Sequence, residues 1–209
     1  TFGMNWHSTR PPVVLDYWNP QPPCNQWTTV MTWNHYPQPI IYNGVKYGSK
    51  EMEFGHIESL PTQLPYSFEV LINVNGEAPL THWQKLGWSV VDAEPTSASG
   101  ATYRSYIERS RGEFAVAKNI YVATRSGWFS CRSVCYLAAG RPVVVQDTGF
   151  SEYIPSGQGL FSFRNLSEAI QAITTIEQDY NHHQQSAREL ARNHFDSRLV
   201  LSEILEKIT

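Results

Sequence analysis

Two neighbouring runs constrain this chain most: Gly112-Glu-Phe-Ala-Val-Ala-Lys-Asn119, and Arg125-Ser-Gly-Trp-Phe-Ser-Cys-Arg-Ser-Val-Cys-Tyr-Leu-Ala-Ala-Gly-Arg-Pro-Val-Val-Val-Gln-Asp-Thr-Gly149. Together they read as strand, polar loop, short helix, tight turn, strand and second polar loop. The apolar residues 114–117 predict a buried strand, and Ser126 and Gly127 mark the loop after it. A helix then opens at Ser130, with Arg132 and Ser133 in its first turn, and ends at Ala138-Ala139-Gly140, where glycine supplies a left-handed cap. Arg141-Pro142 turns the chain into Val143-Val144-Val145. A helix start offers N–H groups without intrahelical partners and the positive end of the helix dipole, and an added guanidinium makes that an anion site. The same residues would equally build a capped helix carrying a surface arginine.

The rest of the chain repeats the alternation. Residues 28–33, 68–74 and 88–91 predict strands, and 50–60, 79–86 and 101–109 helices; Gly87 closes the second of these. Alternating apolar strands and helices predict a parallel sheet with right-handed crossovers. Asn43-Gly44 between β-prone flanks predicts a hairpin over 40–47. Residues 1–27, rich in proline and carrying Trp6, Tyr17, Trp18 and Trp27, predict an extended lead-in packed on a surface, because disordered linkers rarely hold so many rings. After Val145 the expectation is helices only. Asn165 with Glu168 forms a cap signature ahead of a stripe of Leu166, Ala169, Ile170, Ile173 and Ile176. Asp196 opens a last helix whose Val200, Leu201, Ile204, Leu205 and Ile208 form a second core stripe. The implied division is 1–27, a nucleotide-binding module over 28–164, and C-terminal helices over 165–209.

A net charge of −3 gives no electrostatic reason to expect nucleic acid or an anionic membrane as partner. No apolar run is long enough to span a bilayer, and Thr1 is followed by neither a basic region nor an apolar signal core. Without an initiator Met, the chain reads as a fragment or a trimmed product. Three cysteines without a Cys-x-x-Cys pair argue against a disulfide framework and favour the reducing cytoplasm. No Gly-x-Gly-x-x-Gly and no Walker loop occurs, which removes the main support for a dinucleotide oxidoreductase or a P-loop NTPase.

The run Leu137-Ala-Ala-Gly-Arg-Pro-Val-Val-Val145, followed by Asp147-Thr-Gly-Phe-Ser-Glu-Tyr-Ile154 and Gly159-Leu-Phe161, resembles the donor-site segment of group-1 glycosyltransferases of the GT-B fold. The likeness is nearest to a bacterial subgroup carrying Arg-Ser-Gly-Trp-Phe-Ser-x-Arg-Ser. It implies an α/β, Rossmann-like open parallel sheet, the C-terminal half of a GT-B enzyme, with the acceptor-binding domain preceding it. The activity implied is sugar transfer from a nucleoside-diphosphate sugar to an acceptor hydroxyl, with no cofactor and no metal. The expected donor contacts are Arg125, Ser126, Gly127, Ser130, Cys131, Arg132 and Ser133 at the helix start and Asp147, Thr148 and Gly149 after the next strand. Two lysines join them: Lys50, where a phosphate-gripping lysine follows the first strand, and Lys118, at a strand end where ligands of open sheets sit. Catalytic residues stay unassigned.

This chain departs from the wider family at two positions. Two glutamates eight positions apart fall, on the Gly-x-Pro register, at Gly127 and Cys135. The family's carboxylate contacts to sugar and ribose therefore do not carry over. That departure supports a second reading, a non-catalytic module of the same fold that binds a nucleotide or a protein partner. A third, a periplasmic or regulatory sugar-binding half-domain, requires an export signal upstream. Lesser constellations carry no site: Cys131 and Cys135 read as packed thiols and His182-His183 as a solvated helix face, and the place of Asp92-Ala-Glu94 after a predicted strand argues against a metal motif.

Overall fold

The computed structural model describes residues 3, 7–34, 38–74 and 77–208. Strand β1 (Gln26–Trp33) is buried on both faces, through Trp27, Met31 and Trp33 on one and Thr28 on the other, as a central strand of a parallel sheet must be. A hairpin follows, β2 (Ile40–Tyr42) and β3 (Val45–Tyr47), turned by Asn43 and Gly44 at φ 50° and 75°. Then come α1 (Glu51–Phe54), α2 (Leu60–Gln63), β4 (Ser67–Val74), α3 (Leu80–Lys85), β5 (Trp88–Asp92), α4 (Glu94–Ser97) and α5 (Gly100–Arg109). The second half holds β6 (Gly112–Ala115), α6 (Asn119–Ala123), α7 (Cys131–Ala138), β7 (Val143–Gln146), β8 (Leu160–Phe163), α8 (Leu166–Gln178), α9 (Tyr180–Phe195) and α10 (Ser197–Ile208).

Six strands form one parallel sheet in the order β5-β4-β1-β6-β7-β8, the doubly wound arrangement with its switch point between β1 and β6. Side chains alternate between two cores. Phe114 and Val144 pack with Trp27, Phe68 and Phe163 under α1, α2 and α8, whereas Ala115, Val143 and Val145 pack with Val134, Leu137 and Phe195 under α7 and α9. The β1 and β6 backbones come together because residue 112 is glycine: a Cβ there would run into the Trp27 ring and the Pro142 carbonyl.

Several expectations needed correction. The predicted 50–60 helix is broken into α1 and α2, because Gly55 has low helix propensity and Pro61, without an N–H, begins a new helix. The strand predicted at 114–117 begins and ends two residues earlier. Beyond Ala115 the chain leaves the ladder, and the Ala117 N–H goes to the Gln146 side chain, 3.2 Å away. Helices alone do not follow Val145: β8 adds a sixth strand beside β7. The α8 stripe lies in the core, whereas in α10 Val200 is buried but Leu201 and Leu205 are exposed, since the helix packs on α9 by one side only. The Ile208 side chain lies outside the described residues.

His183 is buried rather than solvated, because α9 packs so closely on the start of β8 that its Nδ1 accepts the Gly159 N–H at 3.3 Å. His182 is exposed, as expected. The 7–25 stretch is tied down by bridges from Val13 to Phe195 and Ser197 and by Leu15 and Trp18 in the core; Trp6 lies outside the described residues.

Candidate functional site

In a doubly wound sheet the crossovers on either side of the switch point leave in opposite directions and open a crevice at the strands' C-terminal ends. Here β1 pairs with β4 along its whole length but with β6 at only two positions, Trp27 with Gly112 and Thr28 with Glu113. Helix α7 is pinned above this point, since the Tyr136 hydroxyl lies 2.7 Å from Thr28 Oγ1 on β1.

Around the crevice the fold gathers Lys50, Lys118 and Arg132, residues 82 positions apart in sequence at the extremes, with two groups that motif reading missed, Glu113 and Tyr103. Glu113 is fully buried on the α7 face of β6, and its Oε1 accepts the Arg132 Nε–H at 2.5 Å. Burial works against the Arg132 charge, but Glu113 and Tyr103 more than offset it and hold the guanidinium above its usual range. Lys50 is buried. Desolvation, then Arg132, push its pKa well below 10.5, and Lys118 adds to the depression while Glu113 opposes it. Tyr103 is pushed up to about 12, chiefly by burial. The signal for Glu113 was present in the sequence as one acid inside an otherwise apolar strand.

The start of α7 departs from the simplest anion site. Ser130 Oγ accepts the Arg132 N–H at 3.2 Å, so that donor is already engaged, and the Val134 N–H opens the helical ladder on the Ser130 carbonyl. The Arg132 guanidinium lies inward on Glu113 because a buried carboxylate is a closer partner than solvent. Beneath the helix start is a small cavity of about 20 Å³ bounded by Ser130, Arg132, Ser133 and Gln146. Ser133 Oγ and Glu113 Oε2 are buried without a hydrogen-bond partner, and orphaned polar atoms of this kind are rare in cores.

Two loops frame the site. The Gly127 N–H bonds the Thr148 carbonyl at 2.8 Å, and Thr148 Oγ1 donates to the Trp128 carbonyl at 2.6 Å. Gly149, at φ 93°, lets the second loop pass close to the Arg125 carbonyl. Asp147 is buried and accepts from the Gly149 N–H, Ser151 and Arg164. Burial alone would raise its pKa, but these hydrogen bonds prevail and lower it. Its carboxylate thus organises the loop.

Arg125 is half exposed and turned to this loop, 2.5 Å from Glu152 and 3.9 Å from Asp147, because it sits in a left-handed turn at φ 47°. The Ser126 hydroxyl lies 3.4 Å from the Trp128 N–H. Cys131 is exposed rather than packed, being the first residue of α7, while Cys135 is partly buried with its thiol pushed up to about 12 by desolvation. Asp92 Oδ1 accepts the Glu94 N–H, as a turn cap does. Among the described residues no cluster of His, Cys, Asp and Glu has metal-site geometry, and no helix is long and apolar enough to cross a membrane.

No protein-family model matches the sequence, and no curated protein matches it. Solved structures do match. HepE of Anabaena in complex with UDP and glucose aligns over 96% of this chain and 55% of its own, with a TM-score of 0.63 at 13% identity. AviGT4, a glycosyltransferase involved in avilamycin A biosynthesis, aligns over 94% and 55%, with a TM-score of 0.59 at 11% identity. TarM aligns over 90% and 36%, with a TM-score of 0.56 at 11% identity. The fold is the Rossmann-like α/β fold of the C-terminal half of GT-B glycosyltransferases. The chain spans about a third to just over half the length of the structures cited.

Proposed function

We propose that this chain is the donor-binding domain of a glycosyltransferase, taking a nucleoside-diphosphate sugar in the crevice between β1 and β6. The observation that carries the reading is the buried Lys50, set beside the Arg132–Glu113 ion pair at the start of α7. An ammonium held away from water is disfavoured unless an anion joins it. The start of α7, immediately beside it, supplies dipole and backbone donors for the same anion.

In this reading the diphosphate lies between the Lys50 ammonium and the α7 start, with Ser133 Oγ as a further donor. Arg132 acts through the field of its ion pair rather than as an open clamp. During transfer the bond from the anomeric carbon to the diphosphate breaks as one to the acceptor oxygen forms, and the acceptor hydroxyl loses its proton. Charge gathering on the departing diphosphate is stabilised by the cations and helix-start donors, which are already oriented. The acceptor side comes from a second domain, so the isolated chain binds nucleotide weakly and does not turn over. Three free cysteines suit a reducing cytoplasm.

A second reading, a non-catalytic nucleotide- or partner-binding module, is favoured by Gly127 and Cys135 standing where the wider family has glutamates. Thermal unfolding with UDP, GDP, ADP and their sugar conjugates separates the two. A ligand at a hundredfold its Kd stabilises by about 2.7 kcal/mol. A shift with one nucleotide family, lost in Lys50→Met, supports the donor site; a folded chain that responds to none of them abandons it.

A further inference from the structure

A second, larger cleft of about 570 Å³ lies beside the helix start, within the size range of small-ligand sites. One wall is aromatic. Trp128 rests one ring face on Tyr121, with centroids 4.8 Å apart and planes 19° from parallel, yet remains 39% exposed. Tyr153 is 74% exposed, and its ring lies against Gly127, which has no side chain to stand between them. The opposite wall is charged: Arg10 from the lead-in segment pairs with Glu203 of α10 at 2.5 Å, and Lys207 stands one turn further along the helix.

Large exposed aromatic faces are costly in water and mark binding surfaces when they share one concavity. A purely apolar ligand would cover the Arg10–Glu203 ion pair and Lys207 without offering them any hydrogen bond, and a simple anion would make no use of the rings. A pyranose satisfies both: its C–H face stacks on an aromatic ring, while its rim of hydroxyls both donates and accepts hydrogen bonds. Trp128 borders this cleft and also the small cavity under α7, so the two sites share a wall.

We propose that this cleft is a saccharide-binding subsite, with Tyr153 and Trp128 as its stacking platform and Arg10, Glu203 and Lys207 as its hydroxyl ligands. Binding of the saccharide stands independently of the nucleotide. That the saccharide takes part in a transfer, with the second domain completing the acceptor side, rests on the donor reading above.

The probes are methyl glycosides and disaccharides of glucose, galactose, mannose, rhamnose and N-acetylglucosamine, followed by saturation-transfer NMR and calorimetry on the whole chain, with UDP titrated separately. At least one sugar binds the parent protein. Tyr153→Ala weakens it about tenfold or more, Tyr153→Phe keeps the stack and stays within about threefold, and neither changes UDP affinity. No transfer to any sugar at millimolar concentration overturns the proposal, as does a bound sugar indifferent to Tyr153→Ala. Sugar binding without UDP binding keeps the subsite and sinks the donor reading; UDP binding without sugar binding does the reverse.

Discussion

Arg132 Nε lies 2.5 Å from Oε1 of Glu113, and the carboxylate it meets has no exposure to solvent at all. An arginine at a helix start, which by position faces an incoming phosphate, is here one half of a buried ion pair. Breaking such a pair from one side strands a charge and costs about 3–5 kcal/mol, while replacing both partners by apolar groups is often near neutral. Arg132→Ala is therefore expected to lose that much in urea denaturation, and Arg132→Met with Glu113→Leu to recover most of it. Additive losses in the double-mutant cycle would show that the pair is not coupled.

Lys50 supplies a pH test. Its folded pKa lies below 10.5, so the unfolded chain binds more protons between the two values, and stability rises with pH across that window. An anion bound beside it favours the ammonium form, so nucleotide binding takes up a proton where Lys50 is neutral in the free protein. Calorimetry of UDP in buffers of different ionisation enthalpy should show that uptake at alkaline pH, and Lys50→Met should abolish it. Equal apparent enthalpies in all buffers would remove Lys50 from the site.

His183 sets a limit on the acid side. Its pKa is lowered from 6.5, mainly by burial and then by His182, and its Nδ1 must stay unprotonated to accept the Gly159 N–H. The contribution is complete above 6.5 and is lost as pH falls through the lowered folded value. The thermal midpoint should drop on acidification through this range, and His183→Gln, which keeps an acceptor but does not titrate, should flatten that drop. An unchanged profile in the variant would place the acid sensitivity elsewhere.

Asp147→Ala removes the acceptor of the Gly149 N–H and the partner of Ser151 and Arg164 in one step. Leaving such groups unsatisfied costs about 1–3 kcal/mol. Because Thr148 and Gly127 are joined, the 125–130 loop should loosen with it. Hydrogen exchange at Gly127 and Gly149 should rise together; a change at Gly149 alone would mean that the loops are independent.

The sheet could be read from the sequence because its causes are local. The apolar runs at β1, β4, β6 and β7 announce strands buried on both faces, Asn43-Gly44 the hairpin, and Gly140 the end of α7. Residue types and spacing likewise marked Ser130 as a cap, since a cap involves only its own helix. What Arg132, Lys50 and Asp147 do with their charge was beyond reach of local pattern. Glu113 pairs with Arg132 only because β6 turns that face towards α7, and Lys50 feels both only because the crossover from β1 brings it back over the switch point. Burial also turned His183 inward and left Leu201 and Leu205 outside. Dihedral preference, periodicity and capping act over a few residues and were determined by the sequence alone; desolvation and charge pairing depend on what is packed alongside, and only the tertiary structure decides that.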